Sequence, residues 1–180
     1  MIITLTGAQS TGKTTLLEAL KKNSTLASKF TFVESFTRKL QRQQGVEVGR
    51  SGDAMQRAVL QAHLDNLKQD NVFLDRCLLD GAVYTRYYAG QGEVSVSVVQ
   101  ESYRALLKNR DKYDLVFYLK PEFGVVADGV RPTSDQFQQE IAALFDKMIK
   151  YMRNVVLVSG SVSERVQTVL SALERYNIVC

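Results

Sequence analysis

Short apolar runs alternate with longer amphipathic stretches along all 180 residues of the chain. Runs rich in Val, Ile, Leu and Phe that stop after four to six residues are typical of buried parallel strands. The alternation of such strands with helical patterns predicts an α/β fold, a doubly wound sheet of five parallel strands with helices on both faces. The predicted strands are residues 1–6, 30–33, 71–75, 115–119 and 155–158.

The segments between these strands carry apolar residues at helical spacing. In the longest one, Asp53 is expected to cap a helix whose apolar face includes Val59, His63 and Leu67. Glycines predict a loop over 45–52, and Ser134 or Asp135 is expected to cap a later helix. The other predicted helices span about 13–22, 35–44, 77–89, 95–109, 134–152 and 161–176.

Length and composition fit one domain over residues 1–180. No apolar stretch approaches the ~18 residues that span a bilayer, and Met1 begins a strand directly, which leaves no room for a signal peptide. Cys77 and Cys180 have no disulfide pattern, which suits a reducing compartment, so we expect a cytoplasmic protein. The net charge of +4 is compatible with an anionic substrate or with nucleic acid.

The segment Gly7–Thr14 has the spacing Gly-x-x-x-x-Gly-Lys-Thr and lies between the first strand and a helix, as in a phosphate-binding P-loop. The two glycines permit positive φ angles, and the helix N-terminus directs unpaired N–H groups at an anion. A Gly-rich turn without function is the alternative. We expect ATP or GTP to bind here. The expected contacts are Gly7, Ala8, Gln9, Ser10, Thr11, Gly12, Lys13, Thr14 and Thr15.

Two side chains at the end of this loop are expected to act on the phosphates directly. Lys13 would place its ammonium group on the β- and γ-phosphates. The Thr14 hydroxyl is a hard oxygen ligand of the kind that Mg²⁺ prefers.

The third predicted strand ends with Asp75 followed by Arg76. An aspartate after an apolar strand is the position that holds Mg²⁺ in P-loop proteins, so Asp75 is a candidate metal ligand and catalytic residue. Motor ATPases tend to carry a second acid at the next position, whereas Arg76 suits a phosphate clamp for transfer to a hydroxyl. The alternative is that Asp75 only caps the next helix and that Arg76 pairs with a surface acid.

The second predicted strand is followed by Glu34, with Arg38 four residues later. Glu34 is expected beside the P-loop as a competing catalytic base, and Arg38 is expected on the same helix face to orient a substrate. A salt bridge between the two without function is the alternative.

A loop carrying Arg131 follows the fourth strand, and we expect it to form a lid over about 121–134. An arginine on a mobile loop can close over the phosphates, exclude water and stabilise the transferring group. An ordinary surface turn is the alternative.

Two further groups have weaker signals. Gln56 is a candidate for recognition of a base or sugar, whereas His63 on an apolar face is expected to be a core residue. Tyr84, Tyr87 and Tyr88, with Arg86, could stack a nucleobase, although helix packing is the more economical explanation.

Together these residues resemble the small P-loop kinase family typified by the kinase domain of bacterial nicotinamide riboside kinase. The most specific element is the Asp-Gly-x-Arg sequence at 128–131. The Asp-Arg pair at 75–76 looks more like that of thymidylate and deoxynucleoside kinases, and phage kinases that phosphorylate 5-hydroxymethyluracil in DNA are similar in outline. The matching segments are 7–14, 34–38, 56, 75–76, 79–80, 113–119, 128–132 and 156–161.

The resemblance implies an ATP- and Mg²⁺-dependent kinase whose acceptor is the hydroxyl of a nucleoside-like compound. A free nucleoside or nucleotide and a modified pyrimidine in DNA both stay open as acceptors, and so does the oligomeric state. The competing class is a P-loop switch or slow NTPase with no acceptor. A GTPase is disfavoured because no Asn-Lys-x-Asp sequence follows a strand.

Overall fold

The strand that leads into the P-loop lies at the centre of a five-stranded, all-parallel sheet with the order β2-β3-β1-β4-β5. The computed structural model describes residues 1–44, 52–122 and 135–178, and it describes the side chains within these ranges except those of 41–44 and 135. The strands are β1 (Ile2–Thr6), β2 (Thr31–Val33), β3 (Val72–Asp75), β4 (Leu115–Leu119) and β5 (Val155–Val158).

Eight helices are present in the described ranges, and short 3-10 turns follow the sixth and seventh. The first two, α1 and α2, and the last, α8, cover one face of the sheet, while α5, α6 and α7 pack on the other. The helices are α1 (Lys13–Lys21), α2 (Ser24–Lys29), α3 (Phe36–Gln44), α4 (Asp53–Asn66), α5 (Leu78–Gly90), α6 (Val96–Asn109), α7 (Asp135–Met148) and α8 (Val162–Arg175).

The two faces have separate cores because successive side chains of a strand point to opposite sides. Ile3 and Leu5 of β1 pack toward α1 and α8, whereas Ile2 belongs to the core beneath α5 and α7. On the first face the rings of Phe32, Phe73 and Phe117 stack across three strands, with centroid distances of 5.4 and 6.2 Å. Burial on both sides explains why these strands read as continuous apolar runs.

The predicted strand count, direction and two-sided architecture are confirmed, and β4 and β5 have the predicted bounds. The short helix α2 was not predicted, and the helix expected over 134–152 changes to a 3-10 turn after Met148. Asp53 is not the cap of α4 but its first helical residue, after Gly52. Its carboxylate instead accepts hydrogen bonds from the N–H and hydroxyl of Ser95, both at 2.7 Å.

Several predictions fall outside the described residues: the loop at 45–51, most of the lid with Arg131, the cap at Ser134, and Cys180. Within the described ranges, every helix is too short or too polar to cross a membrane.

Candidate functional site

The P-loop, residues 7–14, turns sharply between β1 and α1. Its φ angles are positive at Gly7 (138°), Ser10 (56°) and Gly12 (82°). A Cβ on Gly7 would lie 2.2 Å from the carbonyl oxygen of Leu119, so only glycine fits where the loop passes β4. Alternating backbone conformations of this kind form the amide-lined concavity that binds anions.

The ammonium group of Lys13 is held over this loop. Lys13 is 5% exposed, and its Nζ donates to the Ala8 carbonyl and to the Thr11 hydroxyl, the latter at 2.8 Å. The Thr11 hydroxyl in turn donates to the Ala8 carbonyl at 3.1 Å. The Lys13 ammonium is therefore bound to two groups of the P-loop itself, and its role on the phosphates stays a prediction.

A cavity of about 510 Å³ joins the P-loop to the carboxyl ends of β3 and β5. One side is formed by charged residues that follow β2 and β3, and the other by residues that follow β5. The lining consists of Ser10, Thr11, Gly12, Lys13, Thr14, Thr15, Leu16, Arg38, Asp75, Arg76, Gly160, Val162 and Arg165. The predicted residues Ser10 to Thr15, the Asp-Arg pair and Arg38 are thus brought together, whereas Gly7, Ala8 and Gln9, also predicted as contacts, are not in the lining.

Asp75 is the last residue of β3 and pairs in register with Leu5 of β1. It is buried and lines the cavity, as expected for a residue at the carboxyl end of a strand. The alternative role as a helix cap is excluded, because Cys77 is the residue that caps α5.

Arg76 has a left-handed backbone (φ 85°) and is 7% exposed. Its guanidinium donates to Asp80 at 2.8 Å and to the Gly7 carbonyl at 3.4 Å, and it lies 5.3 Å from the ring centre of Tyr84. Burial alone would lower the pKa of Arg76, but Tyr84 and the nearby carboxylates outweigh it and raise the pKa. Arg76 is therefore a fixed cation, paired with a buried acid and not with a surface one.

Asp80 is the residue that holds Arg76, and the sequence analysis assigned it no role. It is 1% exposed and accepts hydrogen bonds from the Thr6 hydroxyl at 2.7 Å, the Cys77 N–H at 3.0 Å and Arg76. A buried carboxylate needs this number of donors to offset its desolvation. The spacing of four residues between Arg76 and Asp80, with Asp80 on the first turn of a helix, could have identified this ion pair from the sequence.

The residues that follow β2 are placed differently from the prediction. β2 is an edge strand next to β3, so β3 separates Glu34 from the P-loop strand. Glu34 also precedes α3, so Glu34 and Arg38 do not share a helix face. Arg38 lines the cavity, whereas Glu34 lies outside its lining. The Nε atom of Arg38 is buried and has no hydrogen-bond partner among the described residues.

Gln56 and His63 lie on the buried face of α4. The Gln56 carbonyl oxygen accepts a hydrogen bond from the Thr85 hydroxyl at 2.8 Å, and Gln56 is not in the cavity lining. His63 packs on Gly81, where an added Cβ would be 3.2 Å from the ring. Burial lowers the pKa of His63 to about 4. The assignment of His63 to the core agrees with this environment.

The tyrosines of α5 pack against α7. The Tyr84 hydroxyl donates to the side chain of Gln9 at 3.0 Å, and the ring of Tyr87 is 4.9 Å from that of Phe137. Arg86 is exposed. These contacts agree with helix packing.

Two buried side chains that the sequence did not single out contact the P-loop backbone. Gln138 of α7 donates to the carbonyl of Gln9 at 2.9 Å, and Arg165 of α8 donates to the carbonyl of Thr11 at 2.5 Å. Both lie on the apolar stripes of their helices, beside residues such as Ile141 and Val169. A polar residue on such a stripe was the signal that could have found them.

The donor set fits Mg²⁺ bound together with phosphate. Among the residues that the structure describes there is no cluster of three or more His, Cys, Asp or Glu side chains. Mg²⁺ commonly uses one or two protein oxygens, phosphate oxygens and water. Thr14 and Asp75 line the same cavity and supply a hydroxyl and a carboxylate.

Solved structures similar to this one include two kinases and a third protein, NadR. Deoxyadenosine kinase from M. mycoides, with the products dCMP and a flexible dCDP bound, has a TM-score of 0.65 and 16% identity, over 97% of this chain and 99% of that one. Shikimate kinase from Aquifex aeolicus has a TM-score of 0.63 and 16% identity, over 99% of each chain. At such identities the likeness concerns the fold.

NadR protein in complex with NAD and AMP-PNP has a TM-score of 0.70 and 17% identity, over 99% of this chain. The present chain spans about half of NadR, because the match covers 50% of that protein. No curated protein matches the chain significantly. A family model described as AAA domain matches residues 2–165. The chain therefore belongs to the AAA domain family, and its fold is that of the small P-loop kinases.

Proposed function

We propose that the protein is an ATP-dependent kinase that transfers the γ-phosphate to a hydroxyl of a nucleoside-like acceptor. One observation carries the proposal: a single cavity joins the P-loop to Asp75, Arg76 and Arg38. A kinase needs a triphosphate site and an acceptor site that meet at the γ-phosphate.

In this proposal the phosphates lie on the P-loop, with the Lys13 ammonium on the β- and γ-phosphates. Thr14 and Asp75 would hold Mg²⁺, which would supply positive charge beside the phosphate oxygens. The N–H groups at the start of α1 add to the positive potential at the same point.

Asp75 or Glu34 accepts the proton of the attacking hydroxyl. Asp75 has the better position, because it lines the cavity next to the P-loop strand, while Glu34 is one strand farther away. Arg76 and Arg38 orient the acceptor. Gln56 is a weaker candidate for contact with the acceptor's base, through its amide nitrogen, since its oxygen binds Thr85.

Arg131 is proposed to reach the transferring phosphate from the lid and to stabilise its charge. Closure of a lid also excludes water, which would otherwise compete with the acceptor hydroxyl.

The second candidate is a P-loop switch or slow NTPase, which the family description AAA domain keeps open. The residue after Asp75 argues against a motor-type ATPase: it is a buried arginine that pairs with Asp80, and not a second acid that could polarise water.

Among acceptors, a free nucleoside or nucleotide is supported by the deoxyadenosine kinase whose structure holds dCMP and dCDP. A hydroxymethylated pyrimidine in DNA, such as 5-hydroxymethyluracil, is supported only by the outline of the sequence and by the net charge of +4. We place the protein in the cytoplasm, where ATP and such acceptors are available.

The test is ADP release with and without acceptor, over nucleosides, nucleotides, and DNA with and without hydroxymethylated pyrimidines. A kinase accelerates at least about tenfold with its acceptor, since binding energy from the acceptor assembles the reacting geometry. Lys13→Ala serves as the inactive control. Lys21→Ala, at a partly exposed residue of the same helix paired with Glu18, serves as the matched surface control. ADP release that no acceptor changes would favour the switch.

A further inference from the structure

We propose that Gln138 and Arg165 are positioning residues that aim the amides of the P-loop at the triphosphate. The inference rests on the proposed nucleotide binding and concerns how the protein holds its binding loop in shape. Neither residue has a role in the sequence motif.

The argument starts from the peptide unit. In a trans peptide the C=O of one residue and the N–H of the next are fixed in one plane and point in opposite directions. A side chain that binds a loop carbonyl from outside therefore also sets the direction of the following N–H.

Gln138 does this at the tip of the loop. It is 5% exposed, and its amide Nε2 donates to the carbonyl of Gln9 at 2.9 Å. The N–H that follows belongs to Ser10, which has a φ of 56° and lines the cavity. A non-glycine residue in this conformation is strained and persists only where its surroundings fix it. The contact with Gln138 supplies part of that restraint.

Arg165 acts at the end of the loop that leads into α1. It is 2% exposed, and its Nη1 donates to the carbonyl of Thr11, which sets the direction of the Gly12 N–H. A Cβ on Gly12 would lie 2.8 Å from the same Nη1, so the glycine admits the guanidinium as well as the turn.

The other two nitrogens of Arg165 anchor it to neighbouring loops. Its Nε donates to the Gly160 carbonyl at 2.7 Å, and its Nη2 donates to Glu122 at 3.1 Å. Glu122 also accepts from the Gly160 N–H at 2.8 Å. The guanidinium is therefore fixed by the segments that follow β4 and β5, and its direction toward Thr11 does not depend on the P-loop alone.

Two further side chains bind carbonyls of the same loop: Arg76 donates to that of Gly7 and Lys13 to that of Ala8. The N–H groups whose directions Gln138 and Arg165 set belong to Ser10 and Gly12, which line the cavity. These two N–H groups are therefore oriented before any phosphate binds. Donors fixed in advance bind a charged group more strongly, because they need no reorganisation.

The experiment measures the Kd of two probes in the presence of Mg²⁺, inorganic tripolyphosphate and AMP-PNP, by titration calorimetry. The variants are Gln138→Met and Arg165→Met. The matched controls are Gln136→Met and Arg175→Met, exposed residues of the same two helices. Gln138 is neutral, so its variant changes the orientation of the loop without changing the charge of the site.

We expect Gln138→Met and Arg165→Met each to weaken the binding of both probes by about tenfold. This is the effect of losing one well-oriented, charge-assisted hydrogen bond from a loop N–H to a phosphate. The controls should stay within about twofold of the wild type, on the basis that exposed substitutions have small effects. The melting temperature of each variant, measured in parallel, shows that the loss occurs in folded protein. Equal losses of affinity for tripolyphosphate and AMP-PNP would place the effect at the phosphates, which are the part that the two probes share.

Wild-type affinity in a folded Gln138→Met variant would overturn the proposal, and so would a loss for AMP-PNP alone. If Arg165→Met does not fold, Arg165→Lys replaces it: the lysine keeps the charge but cannot direct forked donors to Thr11 and Gly160, so about threefold or greater weakening is expected. Unchanged affinity in that variant removes Arg165 from the proposal. Absence of binding by the wild type would instead refute the proposed function itself.

Discussion

The two sides of the cavity are built differently. On the P-loop side, buried side chains from the segment before α5 and from α7 and α8 bind backbone carbonyls of the loop, although Nε2 of Gln9 has no hydrogen-bond partner in the described part of the chain. On the side that follows β2, Arg38 is half-buried, and its Nε has no such partner either. The comparison supports a proposed triphosphate site whose backbone is pre-organised by the fold, and a proposed acceptor side whose arginine keeps binding capacity for its ligand.

The largest effect is expected from Lys13→Ala. Loss of the Lys13 ammonium from the P-loop should reduce phosphoryl transfer by about 10³-fold or more, since in the proposed mechanism this cation stabilises the transferring phosphate. The fold should be retained, as judged by circular dichroism and Tm. An active, well-folded variant would show that the P-loop side does not bind the triphosphate in the proposed way.

Arg131→Ala should come next. By analogy with other arginine fingers, kcat should fall by roughly 10³-fold while the Kd of AMP-PNP changes little. Steady-state kinetics and titration calorimetry separate these two quantities. An unchanged kcat would remove Arg131 from the mechanism and leave the acceptor side without a lid arginine.

The third prediction concerns how the stability of the protein depends on pH through His63 of α4. His63 is the single histidine of the chain, and burial lowers its pKa from 6.5 to about 4, with Asp80, Arg76 and Asp75 as its charged neighbours. In the folded state His63 thus resists a protonation that it accepts in the unfolded state. The contribution of His63 to stability is complete above pH 6.5 and is lost as the pH falls toward 4.

The expected loss from this residue is about 3 kcal/mol across that window, at most. Urea unfolding of the wild type and of His63→Gln, at intervals from pH 4 to 7, gives the free energy of unfolding of each protein as a function of pH. The contribution of His63 is the extra loss of this free energy in the wild type as the pH falls. Carboxylates that titrate in the same range affect both proteins and cancel. If the free energy of unfolding of the two proteins changed equally with pH, His63 would not be buried as described.

The smallest effect is expected from Arg38→Met. The KM for the acceptor should rise about tenfold, the value of one charge-assisted hydrogen bond, while the KM for ATP stays within about twofold. Lys39→Met, the exposed neighbour on α3, is the matched control. A rise in the KM for ATP instead would place Arg38 on the donor side and remove the contrast between the two sides.

The same contrast explains what the sequence could predict. The P-loop is a local motif, so its spacing was sufficient to locate Lys13 and Thr14, and the apolar runs located β4 and β5. Gln138 and Arg165 lie 129 and 154 residues from the carbonyls they bind, and only the tertiary fold brings them there. Glu34 was misplaced for a related reason: the pattern predicts strands but not that β3 lies between β2 and β1.

The central position of β1 has a consequence for synthesis of the protein. Its neighbours are β3 and β4, and the Ile2 N–H bonds to Asp114 across 112 residues. The apolar residues of β1 are translated before either flanking strand, and β4 follows them only after this separation of 112 residues. Until then they are exposed to chaperones and to aggregation, as is usual for pairings of long sequence separation. The P-loop is therefore part of an unfolded chain long before the segments that give it its final shape have been made.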